Sequence, residues 1–106
     1  MPESITATTV VFVDPSECKF QPGQIVSTRG ALAAMQEYQI EPSTLLRRHL
    51  SGDWGSVPRE DAKLNNQSLK MDGRLLSSYD IAAGVRIWLI TEWDRSVTTY
   101  LLPSEY

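Results

Sequence analysis

Ile87-Trp88-Leu89-Ile90-Thr91-Glu92-Trp93-Asp94-Arg95-Ser96-Val97-Thr98-Thr99-Tyr100-Leu101-Leu102-Pro103 holds two β-type segments on either side of a charged turn that carries a tryptophan. Residues 85–91 and 97–102 are rich in β-branched, aromatic and aliphatic side chains, the composition that suits a pleated, half-buried strand. The connection over residues 92–96 has hairpin length. So does that over residues 80–84, which joins the run to an earlier β-type segment at residues 74–79. Three consecutive strands with short connections pair most simply as an antiparallel meander, and this sheet organises the chain.

Upstream of the meander the period changes to that of helices. Leu32, Met35 and Tyr38, with Ala31 and Ala34 beside them, recur at helical spacing from Arg29 to about Gln39, and Thr28 is placed to cap that helix. Pro42 suits a first helical position. Leu45, Leu46 and Leu50 then line one face of a short helix that Ser51-Gly52 ends, with His49 among the leucines. Pro58 opens a third helix through Glu60, Asp61, Ala62 and Leu64 toward Leu69, acidic in its first turn as the helix dipole favours, and Met71-Asp72-Gly73 is a turn. Nearer the start, residues 8–13 read as a strand stopped by Asp14-Pro15, and Gln24-Ile25-Val26-Ser27 as a short extended piece. The expected fold is α+β: an antiparallel β-meander of three C-terminal strands plus one or two N-terminal strands, packed against two or three short helices. Residues 1–106 are expected to form a single domain, with residues 1–7 flexible.

Composition excludes several function classes. With 106 residues, 42% hydrophobic and 22% charged, the chain suits one globular core. A domain of this size buries roughly two thirds of its unfolded surface and needs no metal or disulfide staple. One cysteine, Cys18, cannot form an internal bridge, which points to a reducing compartment. The formal net charge is −3 and the lysines and arginines are dispersed, so no electrostatic footprint for duplex nucleic acid or an anionic membrane is present. Met1-Pro2-Glu3-Ser4 lacks the basic and apolar regions of a secretory signal and no segment has the length of a membrane span; the cytoplasm is the expected location.

Alternation within the meander separates two faces. If Leu75, Val85, Ile87, Leu89, Val97 and Leu101 point toward the helices, the opposite face presents Arg74, Ser78, Arg86, Trp88, Thr98 and Tyr100. Arginine beside Trp and Tyr can anchor a protein partner or stack on the bases of a single-stranded nucleic acid. Trp88 and Tyr100 can equally be a cross-strand pair that shields the sheet. Trp54 and Trp93 extend the candidate surface, because they sit in the two loops richest in polar and aromatic residues.

Gly23-Gln24-Ile25-Val26, Arg48-His49-Leu50-Ser51-Gly52-Asp53-Trp54-Gly55 and the run from Ile90 through Thr99, with Leu101-Leu102-Pro103-Ser104-Glu105-Tyr106, resemble a family of small uncharacterised bacterial proteins, some of them labelled plasmid-related protein. The resemblance spans roughly residues 20–106. It implies a bacterial origin and no particular activity; labels that link some members to restriction enzymes find no counterpart here, since nothing in the chain looks like the methyltransferase or endonuclease of such a system. Trp93 departs from it, standing where a small residue such as alanine is expected.

Candidate chemistries each have a plainer competitor. One His and one Cys far apart offer no metal-ligand spacing, and the pairs Glu60-Asp61 and Glu92/Asp94 supply too few oxygens for calcium or magnesium, so no metal and no cofactor is expected. Phosphate-cradling glycine loops and a nucleophile elbow are absent. Cys18 beside Lys19 reads as a low-reactivity thiol. His49, Asp53 and Arg95 are the candidate catalytic residues. With Arg74, Tyr79, Arg86, Thr98 and Thr99 nearby on the sheet they supply the ingredients of metal-independent RNA cleavage, an outline similar to barnase- and RelE-type ribonucleases at the level of fold alone. The plainer reading makes His49 a core residue, Asp53 and Trp54 a lock holding their loop to the sheet, and Asp94-Arg95 a charged hairpin tip. Two functions follow: a non-enzymatic binding module using Arg74, Arg86, Trp88, Tyr100, Trp54 and Trp93, or a ribonuclease-like enzyme using His49.

Overall fold

A computed structural model describes residues 16–106 and, as backbone alone, Ser4–Thr6 and Pro15. The strand expected over residues 8–13 lies outside the described residues. Five strands, β1 (Ser4–Thr6), β2 (Gln24–Thr28), β3 (Leu75–Ala82), β4 (Val85–Thr91) and β5 (Val97–Leu101), form one sheet in the order β1-β2-β5-β4-β3. Three helices, α1 (Arg29–Glu37), α2 (Pro42–Leu50) and α3 (Arg59–Lys70), lie between β2 and β3 in the chain. The fold is α+β, and β3, β4 and β5 are the expected antiparallel meander.

The sheet as a whole is mixed, because β2 pairs with β5 in parallel. The loop before β2 is pinned to the hairpin that opens β5: Thr98 Oγ1 donates to Pro22 O at 2.7 Å and the Gln24 amide to Ser96 O at 2.9 Å. Both strands therefore start at the same end of the sheet. Only a parallel ladder follows from that. β1 then pairs antiparallel with the outer edge of β2, inside the stretch expected to be flexible.

Side-chain direction on β5 is opposite to the expected one. Glu92 N–H donates to Val97 O at 3.0 Å, so the β4–β5 loop holds the four residues 93–96. Facing partners then pair an odd with an even residue, as in Leu89↔Tyr100 and Thr91↔Thr98. Leu75, Ile87 and Leu89 do face the helices and Ser78, Arg86 and Trp88 the other side. Thr98 and Tyr100, however, join the inner face and are buried, and Leu101 sits opposite Trp88 on the outer face. Tyr100 is thus a core residue and no part of an exposed surface. Its hydroxyl donates to Pro42 O at 2.6 Å, tying the sheet to the first residue of α2.

α1 and α2 cover the inner face. Ala31, Met35, Leu45, Leu46 and Leu50 pack against Tyr79, Ile87, Leu89 and Tyr100. Thr28 caps α1 as expected, its hydroxyl accepting from the Ala31 amide at 3.2 Å while donating to Glu105 Oε1 at 2.5 Å. The buried stripe of α1 is narrower than its apolar pattern: Tyr38 is the C-cap and is exposed, since the helix ends one residue before it.

α3 lies along the β3 edge and closes it. Asn65, almost fully buried, accepts from the Leu76 amide at 3.1 Å and donates to Leu76 O at 2.7 Å, so one amide side chain does what a neighbouring strand would do. Asn65→Ala is expected to cost about 2 kcal/mol, the penalty for leaving two buried backbone groups unpaired. Urea unfolding checks it; a change under about 0.5 kcal/mol would show that water replaces the amide without loss.

Candidate functional site

Two polar arrangements are built on this frame, one inside the core and one on the outer sheet face. The inner one centres on His49, which is wholly buried. Its Nδ1 lies 2.5 Å from Ser77 Oγ and its Nε2 2.9 Å from Thr91 Oγ1; Thr91 Oγ1 is 2.7 Å from Thr98 Oγ1.

The hydroxyl protons run in one direction along these four side chains. Thr98 gives its single hydroxyl proton to Pro22 O, a group that can only accept, so Thr91 must donate to Thr98. Thr91 then accepts from His49 Nε2–H; because burial keeps the ring neutral, Nδ1 carries no proton and accepts from Ser77. The imidazole is neutral with both nitrogens satisfied. Phe20 and Trp54 pack edge-on against the ring at 5.2 and 5.8 Å between centroids. Burial, and secondarily the positive charge of Arg95, press its pKa down to about 3. A ring held neutral and away from solvent is a structural bracket between α2 and the sheet.

The other catalytic candidates are used structurally too. Asp53 forms an ion pair with Arg48 at 2.7 Å, which together with the Gly55 amide holds its carboxyl below the usual range. Its backbone carbonyl accepts from Tyr79 Oη at 2.6 Å. Arg95 adopts a positive φ of 59° at the hairpin tip and donates to the carbonyls of Gly73, Ser68 (2.6 Å), Glu92 and Trp93. It thereby joins the β4–β5 hairpin to the end of α3. The Phe20 ring, which touches His49, also lies 5.8 Å from the Arg95 guanidinium, so an aromatic wall borders both groups. His49 is wholly buried, so it does not open onto a cleft that Asp53 and Arg95 could share with it.

On the outer face the side chains of Leu76, Trp88 and Ile90 floor a groove of about 310 Å³ between α3 and the C-terminal residues. Asp61 and Leu64 of α3 form one wall, and Tyr106 forms the other, its ring edge-on to Trp88 at 5.7 Å. Arg74 closes one end: its guanidinium donates to Tyr106 Oη at 2.6 Å, sits 5.4 Å from that ring and pairs with Glu92 at 3.4 Å. At the other end a recess of about 80 Å³ continues past Val57 and Pro58 to Ser78 and Arg86. Arg86 pairs with Asp80 at 2.7 Å. Ser78 Oγ is buried and has no hydrogen-bond partner.

Of the expected binding residues, Arg74, Arg86 and Trp88 do meet on this face. Trp54 is buried, its indole N–H donating to Asn66 Oδ1 at 3.1 Å, and so belongs to the core beside His49. Trp93 is exposed at the hairpin tip, outside the groove. Asp61, Leu64, Leu76, Ile90 and Tyr106 were not among the expected site residues. The adjacent pairs Leu75-Leu76 and Leu89-Ile90 hold the signal, since apolar residues at odd and even positions mark strands covered on both faces.

Among the described residues no three His, Cys, Asp or Glu side chains gather to hold a metal ion, and no helix is long and apolar enough to cross a membrane. The chain matches no family model, no curated protein and no solved structure, so the roles given to these residues rest on geometry.

Proposed function

We propose that this protein is a non-enzymatic binding module whose site is the outer-face groove floored by Leu76, Trp88 and Ile90. The observation that carries the reading is a concave apolar surface with polar groups at its rim and one orphaned hydroxyl in the recess that adjoins it, the usual form of a binding pocket. A groove near 310 Å³ is large enough for one or two side chains of a partner. The ribonuclease reading draws no comparable support: general acid or base work needs a titratable group near neutrality within reach of substrate, and His49 has neither property.

Screening isotope-labelled protein with a library of small aromatic and aliphatic compounds tests the reading. Shifts are expected to cluster at Leu76, Trp88 and Ile90 and to vanish in Trp88→Ala, a variant that keeps the inner core. Shifts scattered over the surface, or gathered around His49, would sink it. RNA incubated with the wild-type chain is expected to remain intact.

A further inference from the structure

We propose that the outer groove takes a cationic, apolar segment of a partner protein, with Asp61 as the group that selects it. The proposal rests on the binding-module reading and adds the partner's chemistry.

The arginines that give this face its basic look are already neutralised. Arg74 is engaged by Glu92 and by the hydroxyl and ring of Tyr106, and Arg86 by Asp80. A phosphate arriving at either would have to displace a carboxylate and then share its neighbourhood. Asp61 is in the reverse position. It borders both the groove and the deeper recess, and its carboxylate enters none of the side-chain hydrogen bonds or ion pairs among the described residues. Among the described residues that line the groove, the one charged side chain without a side-chain partner is therefore negative, eased only by the first turn of α3 that carries it.

A second observation points the same way from inside. Ser78 Oγ, which lines the recess that Asp61 borders, is buried with no partner, whereas the other buried hydroxyls among the described residues are satisfied. This hydroxyl could be satisfied by a donor or an acceptor, and Asp61 beside it favours the donor. Lysine and arginine fit such a place, because their methylene stems lie along apolar surface while the cation reaches a carboxylate. Trp88 and Tyr106 line the path with aromatic surface that also favours a cation. The formal net charge of −3 steers a basic partner toward the molecule and repels a nucleic acid.

The test uses the full chain, isotope-labelled, and three probes. One is an acetylated, amidated tripeptide of leucine, lysine and phenylalanine; the second replaces the lysine by glutamate; the third is a short oligouridylate. The lysine tripeptide is expected to shift the Trp88 indole and the Asp61 and Ser78 amides at concentrations up to about 10 mM, the range open to a ligand of that size. The glutamate tripeptide should bind at least about fivefold more weakly, and Asp61→Asn should remove that preference, since one partly desolvated ion pair is worth about that factor. Equal shifts from both tripeptides would overturn the selection by Asp61 while leaving the groove a binding site. Shifts at Trp88 from the oligouridylate alone would replace the partner class by nucleic acid. If none of the probes moves these resonances, the inference falls, and the compound screen above decides separately whether the groove binds at all.

Discussion

Acidifying the protein from about pH 7.5 to about pH 5 is expected to remove about 2 kcal/mol of folding stability, and His49→Gln is expected to abolish most of that loss. The reason is linkage. In the unfolded chain the imidazole takes up a proton near its ordinary value of 6.5, whereas in the fold burial delays protonation to about 3. The depressed value means that stability is complete above 6.5, declines as pH falls through the interval between the two values, and levels off below the lower one. Each pH unit well inside that interval costs about 1.4 kcal/mol. Glutamine can still accept from Ser77 and donate to Thr91, but it cannot titrate. The carboxyls of Asp53 and Asp94, held low by Arg48 and by Ser96 respectively, add acid sensitivity only nearer their own lower range. The window above pH 5 therefore reports the histidine. Urea unfolding at a series of pH values measures it; parallel slopes for wild type and His49→Gln would mean that the ring is not kept neutral by its surroundings.

His49 also marks where sequence reading stops. Its place among Leu45, Leu46 and Leu50 on one helical face was legible, as were the cap at Thr28, the proline opening α2 and the meander itself, because each depends on neighbours within a few residues. The partners that decide its chemistry come from elsewhere. Ser77 and Thr91 arrive from β3 and β4, and Thr98 from a strand whose facing depends on whether the loop before it holds an odd or an even number of residues. Thr98 and Tyr100 turn inward on that single count. The parallel pairing of β2 with β5 was hidden for a related reason, since it follows from the Pro22 and Gln24 contacts to the hairpin and not from any local pattern.

The groove was half legible. Arg74, Arg86 and Trp88 share a face by simple alternation, but their usefulness to a partner depends on what neutralises them. Arg86 is answered by Asp80 across the ladder, a pair that register alone implies, whereas Arg74 is answered by Glu92 and by Tyr106 at the far end of the chain. Asp61 looked like an ordinary acidic residue in a first helical turn. It gains meaning only when α3 is set against β3 by Asn65, which brings the helix start over the outer face.

Gly55→Ala is expected to be the most damaging single-methyl change in the loop that follows α2, at about 3–5 kcal/mol. Gly55 has φ of +73°, and a β-carbon there would stand 2.0 Å from the backbone oxygen of Ser78, which cannot swing aside as a side-chain tip would. That oxygen accepts from the Ser56 amide at 2.7 Å, and the Ser78 amide donates to Trp54 O at 3.0 Å; together they strap residues 54–56 to β3. Relieving the clash lifts the strap, loses both bonds and loosens the Trp54 ring from His49. Gly84 separates strain from collision. It has nearly the same φ, +74°, in the β3–β4 turn, yet a β-carbon there meets nothing within 4 Å. Gly84→Ala should therefore cost only about 1 kcal/mol, the penalty of a left-handed backbone for a residue with a side chain. Equal losses for the two variants, read from thermal or urea unfolding, would show that the strap yields freely. Unequal losses of the expected size would show that the strap holding residues 54–56 against β3 does not give way to the added carbon.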